Sequence, residues 1–130
     1  MPRHRSSGPT DVELQILAVL WAQGPSTVRE VHQALSPQRD TGYSTTLKML
    51  QVMREKGLVV RDDSARPQRY AAEKTKGQTQ LQMLDELTRK AFGGSAGKLV
   101  MQLLSASRVS AEELEEMQRL IQRAREGGEP

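Results

Sequence analysis

The stretch YSTTLKMLQVMREKGLVVRDDSARPQRYAA, residues 43–72, decides the fold. Its first half has helical spacing, with Tyr43, Leu47, Leu50 and Met53 as an apolar stripe. Ser44, Thr45, Lys48 and Gln51 fall on the opposite side. Gly57 closes this helix as a left-handed cap. Behind it, Leu58-Val59-Val60-Arg61 and Arg69-Tyr70-Ala71-Ala72 read as paired strands, with residues 63–67 as their loop. A helix that is apolar on one side and carries hydroxyls, an amide and an ammonium on the other suits a DNA major groove. The basic hairpin after it suits the phosphate backbone. The pair reads as the recognition helix and wing of a winged helix-turn-helix domain.

Upstream, the residues supply the rest of that domain. Thr10 with Glu13 is a capping box, a hydroxyl followed three residues later by a carboxylate. It opens a helix over about 11–22 that is apolar on several sides, and Gly24-Pro25 stops it. Thr27 with Glu30 is a second box, opening a short helix that faces inward through Val28, Val31 and Leu35. Ser36-Pro37 ends it, and the turn continues through Thr41-Gly42 to a third helix over about 44–56. Three short helices with short turns form a helix-turn-helix core. The first nine residues have the composition of a disordered arm, in which Arg3, His4 and Arg5 are candidate groove contacts.

Downstream the chain is helical again. Residues 74–92 carry Leu81, Leu84, Leu87 and Ala91 at helical spacing before Gly93-Gly94 breaks the helix. A short apolar helix follows over 99–104. Ser110 with Glu113 is a third capping box, and Leu114, Met117, Ile121 and Ala124 share one face of the helix it opens. Glutamates at its start and arginines at its end both suit the helix dipole. The division expected is an arm over 1–9, a winged helix-turn-helix domain over 10–73 and a helical dimerisation domain over 74–130. The fold class expected is mainly α with a small β-hairpin.

Charge supports the division. Residues 1–76 hold 12 Lys/Arg against 8 Asp/Glu, whereas residues 77–130 hold 7 against 8. A basic half beside a nearly neutral one suggests a polyanion-binding part and a part with another task, although a solvated surface with a mild bias gives the same count. Only four aromatic residues are present, Trp21, Tyr43, Tyr70 and Phe92, so one compact core looks thin and a second copy is the natural cover for the remaining apolar surface. The chain has no cysteine and only His4 and His32 as histidines, which speaks against a metal centre, a thiolate nucleophile or a histidine-based catalytic set. No run approaches the roughly 20 apolar residues of a membrane span, so the expectation is a cytoplasmic protein without cofactor or enzymatic activity.

Each candidate contact has a plainer reading beside it. An ordinary amphipathic helix with a solvated face would also carry Ser44, Thr45, Thr46, Lys48 and Gln51. The order of elements tips the balance, because hydroxyls clustered at a helix start can meet a phosphate or a base edge. Gln51 offers a paired donor and acceptor to adenine, or is simply hydrated. Arg61, Arg66 and Arg69 on the hairpin can grip phosphates, or merely protect a strand edge from aggregation. His32, beside the apolar face of its helix, reads as structural.

The segments TDVELQILAVLWAQGPSTVREVHQAL, GYSTTLKMLQVMREKGLVVRDD and RYAAEKT, with the AFGGS turn and the SAEELEEMQRLI helix, resemble the penicillinase-repressor family of bacterial transcription regulators, the BlaI, MecI and CopY type. The resemblance spans roughly residues 9–125. It implies a winged-helix dimer that represses promoters by binding an inverted-repeat operator and that pairs through its three C-terminal helices. It also implies that Ser44, Thr45, Thr46 and Lys48 begin the recognition helix. Two departures stand out. Members controlling penicillin resistance are cleaved at an Asn-Phe bond, where this chain has Gln102-Leu103. The copper-responsive branch senses metal through C-terminal cysteines, which this chain lacks.

The expected function is therefore a sequence-specific repressor binding a palindromic operator as a homodimer. The alternative is a winged-helix protein-interaction module without direct DNA readout. The expected dimerisation residues are Leu81, Leu84, Leu87, Leu99, Val100, Leu103, Leu114, Met117 and Ile121. A sensor protease acting at Gln102-Leu103 is a further candidate partner beside operator DNA and a second copy.

Overall fold

The computed structural model describes residues 8–37 and 41–127. The arm over 1–9, save Gly8 and Pro9, lies outside them, as does its candidate trio Arg3, His4 and Arg5. In chain order the elements are α1 (Asp11–Gln23), α2 (Val28–Leu35), α3 (Tyr43–Glu55), β1 (Val59–Asp62), β2 (Arg69–Ala72), α4 (Lys76–Ala91), α5 (Ala96–Ser105) and α6 (Ala111–Arg125). The described chain is mostly helical with one small hairpin, the class expected.

The capping boxes form as the residues dictate. In α1 the Glu13 amide donates to the Thr10 hydroxyl at 3.2 Å, and the Glu13 carboxylate accepts from the Thr10 amide at 2.9 Å. Thr27 with Glu30 and Ser110 with Glu113 repeat the arrangement. A fourth reciprocal pair, Thr75 with Gln78, opens α4, so this helix starts at Lys76 rather than Lys74. Its T-x-x-Q spelling was legible in the sequence. The α5 helix begins earlier than its apolar run, at Ala96, because the Ser95 hydroxyl accepts from the Lys98 amide.

Ile16, Leu17 and Leu20 of α1, Val31 and Leu35 of α2, Leu50 and Met53 of α3, Val59 and Tyr70 form one core. Burying each such side chain stabilises the fold by roughly 1.5–3 kcal/mol before entropy is counted. Gly57 has φ +81° and turns the chain from α3 into β1, where most side chains would be strained. The hairpin is antiparallel, pairing Val59 with Ala72 and Arg61 with Tyr70. The loop between α1 and α2 adds one more bridge: Ser26 and Tyr70 exchange main-chain hydrogen bonds at 2.9 and 2.7 Å. Two main-chain bonds thus fasten β2 to the helix-turn-helix.

The chain divides into two compact units, Met1–Leu84 and Asp85–Pro130. The core above lies in the first. Neither α5 nor α6 has a buried residue. Leu81, Leu84 and Leu87 of α4, Val100 and Leu103 of α5, and Leu114 and Ile121 of α6 are all exposed, while Leu99 and Met117 are half-buried.

Candidate nucleic-acid interface

The core fixes which side of α3 faces outward. Thr46, Leu50 and Met53 point inward at the i, i+4, i+7 spacing of one helical face. Ser44, Thr45, Lys48 and Gln51 are all exposed on the remaining surface, so this part of the helix presents two hydroxyls, an ammonium and an amide. A hydroxyl, an amide and a flexible ammonium can all hydrogen-bond base edges or phosphates.

Two residues of α3 sit differently from the sequence reading. Thr46, grouped above with the DNA contacts, is 0% exposed and cannot reach an outside partner. Its hydroxyl lies 3.2 Å from Nδ1 of His32 on α2. A buried hydroxyl needs such a partner, and the half-buried imidazole supplies it. Tyr43, grouped with the inward stripe, is 46% exposed. Its ring meets His32 edge-on at 6.0 Å and lies 6.0 Å from the Arg29 guanidinium carbon. The inward stripe therefore begins at Thr46, one polar residue in an apolar row. The pattern 46, 50, 53 was present, but a threonine at its head hid it.

The hairpin places its arginines beside α3. The pairing of Arg61 with Tyr70 puts both on one face, where Arg61 lines a concavity of about 350 Å³ together with Arg29, Tyr43, Gln51 and Gln68. Arg29 and Gln68 were not singled out by sequence reasoning, and Tyr43 was read only as part of the inward stripe. No local pattern marks them, because they meet only through the tertiary fold.

Every wing arginine has an internal acceptor. Arg61 donates through Nε and Nη2 to both carboxylate oxygens of Asp63, the second at 3.2 Å. Arg66 donates to the main-chain carbonyl of Asp63 at 3.2 Å, and Arg69 lies 3.5 Å from the Glu30 carboxylate. Hydrogen bonding to Arg61 holds the Asp63 carboxyl below the usual carboxylate range, and the Ser64 hydroxyl and amide do the same for Asp62. The wing is basic, but its arginines are already engaged.

Behind the interface, α1 is pinned to the end of α3. Lys56 donates to both oxygens of Glu13 at 2.9 and 2.7 Å, on a carboxylate that also caps α1. Burial pushes the Glu13 carboxyl up, but the bonds from Lys56 and Thr10 outweigh it and leave the group below its ordinary value.

Residues 9–123 match the model of the family described as penicillinase repressor. The chain belongs to the penicillinase repressor family. The transcriptional regulator BlaI of Mycobacterium tuberculosis, from strains CDC 1551 / Oshkosh and H37Rv, is 33% identical over 115 residues, which cover 85% of this chain and 80% of that protein. Among solved structures, a MarR family protein from Bacillus stearothermophilus overlays with a TM-score of 0.48 at 17% identity, covering 91% of this chain and 74% of that one. As a member of the penicillinase repressor family, the chain is a transcriptional regulator of the DNA-binding, repressor type and not an enzyme. Among the described residues, no three metal-ligating side chains gather and no helix is long and apolar enough to cross a membrane.

Proposed function

We propose that this penicillinase-repressor family member represses transcription by binding an inverted-repeat operator as a homodimer. The observation that carries the reading is the exposed face of α3, held outward by Thr46, Leu50 and Met53 and flanked by the arginine-bearing wing. In this reading Ser44, Thr45, Lys48 and Gln51 contact base edges, while Arg61, Arg66 and Arg69 grip phosphates. Base contacts then carry sequence and phosphate contacts carry affinity.

Residues 10–73 form the reading module and residues 74–130 the pairing module. Leu81, Leu84 and Leu87, with Leu99, Val100, Leu103, Leu114, Met117 and Ile121, are the pairing surface. The exposure of seven of these nine in a single chain favours cover by a second copy. Two copies present two recognition helices to mirrored half-sites, about one helical turn apart. Occupying a promoter in this way blocks the polymerase. A sensor protease is a further candidate partner in this reading, with Gln102-Leu103 as the candidate bond in place of the Asn-Phe pair that is cut in the penicillin-resistance members. That bond lies inside α5, so a cut would separate α6 from the rest of the pairing surface.

Fluorescence anisotropy with the chain's own promoter fragment and a random duplex, at about 50 and 200 mM salt, tests the reading. The expected result is preference for the promoter and a loss of roughly 10³-fold or more across that salt range, as for a protein making six or more phosphate contacts. Absence of duplex binding at the lower salt would leave the protein-interaction alternative.

A further inference from the structure

We infer that Asp63 competes with DNA for Arg61, acting as an internal stand-in for a backbone phosphate that limits how tightly the wing holds a duplex. The inference rests on the DNA-binding reading of the wing. It deepens that reading by naming a residue that works against binding.

The geometry is that of oxyanion recognition turned inward. Arg61 meets both oxygens of Asp63 through Nε and Nη2, the forked edge of the guanidinium that also matches two oxygens of a phosphate. One edge cannot serve both acceptors at once. A phosphate arriving at Arg61 must displace Asp63, and until it does the carboxylate also repels it. The same residue holds Arg66 through its carbonyl oxygen.

Position makes this contact matter. Arg61 lines the concavity that Gln51 of α3 shares, so the guanidinium withheld borders the proposed readout helix. Asp63 lies in the exposed turn after β1, and its side chain supports no core packing. Replacing it therefore changes the competition without disturbing the domain. An exposed ion pair of this kind corresponds to roughly a two- to fivefold change in binding.

A double-mutant cycle tests the inference, using anisotropy on the promoter fragment at about 0.15 M salt, where screening damps charges beyond about 8 Å. Asp63→Asn should bind about two- to fivefold tighter than the unmodified chain. In an Arg61→Gln background the same substitution should lose most of that gain, because nothing is left to release. Equal gains in both backgrounds would mean that Asp63 acts only through net charge, and would overturn the inference. No gain in either background would overturn it as well. If the unmodified chain binds no duplex, the DNA reading itself fails and this inference falls with it, a result visible before any variant is made.

Discussion

The hydroxyl of Thr46 on α3 lies 3.2 Å from Nδ1 of His32 on α2, a polar contact joining the two helices of the helix-turn-helix. It ties the inner face of α3 to the helix that precedes it. Thr46 thus acts from behind, by fixing the side of α3 that carries Ser44, Thr45, Lys48 and Gln51 outward. Thr46→Val keeps the shape and removes the bond. It should lower stability by about 1 kcal/mol, read from chemical denaturation, while leaving the salt dependence of DNA binding unchanged. A changed salt slope would show that Thr46 touches phosphate after all.

Lys48 and Arg66 should separate base reading from backbone grip. Lys48→Ala should weaken promoter binding more than random-duplex binding, by about 1–3 kcal/mol of discrimination in a competition titration. Arg66→Ala should weaken both alike and reduce the salt slope by about one. Equal losses for Lys48→Ala on the two duplexes would reassign it to a phosphate.

The Glu13–Lys56 pair makes stability depend on pH with a defined sign. The Glu13 carboxyl is lowered in the folded chain, so its contribution is complete above the unfolded carboxylate range and is lost as pH falls through the lowered folded value. Glu13→Gln should flatten the fall in Tm on acidification relative to the unmodified chain. At neutral pH it should cost about 1–2 kcal/mol, since Lys56 remains partly hydrated. Parallel Tm curves for the two chains would remove Glu13 from the acid response.

Pairing has its own test. Leu84→Asp with Leu87→Asp should yield monomers by light scattering, and promoter affinity should fall with the dimer population. A double variant that stays dimeric would move the association surface to α5 or α6.

Core burial in the middle of the domain is demanding: Leu50→Ala, at a fully buried position, should destabilise by about 2–5 kcal/mol in thermal or chemical unfolding.

Much of the fold was legible because local chemistry and tertiary need agree. Three Ser/Thr–Glu capping boxes set helix starts, and Gly57 set the turn into the wing. The outward residues of α3 followed from periodicity. Its inward face was misread at two positions: Thr46 is polar, and only the fold, with its partner His32, makes it a buried residue. Tyr43 failed in the opposite sense, an aromatic held outside against Arg29 and His32. The bridge from Ser26 to Tyr70 left no local mark, since a single paired residue has no periodicity. The charge census found the basic wing but missed its internal acceptors: Glu30 is 39 residues from Arg69 in the chain, and only the folded hairpin turn aims the neighbouring Asp63 at Arg61 and Arg66.

In the DNA-binding reading, that bridge gives the protein a ruler. Because β2 is stitched by its main chain to the segment that launches α2, the base of the hairpin is held against the helix-turn-helix, which in that reading limits how far wing and α3 can move apart. A double helix whose grooves are spaced differently would have to bend or widen to satisfy both ends, and the energy of that distortion varies with its base steps. Base pairs that no side chain touches would then still count in the choice of binding site.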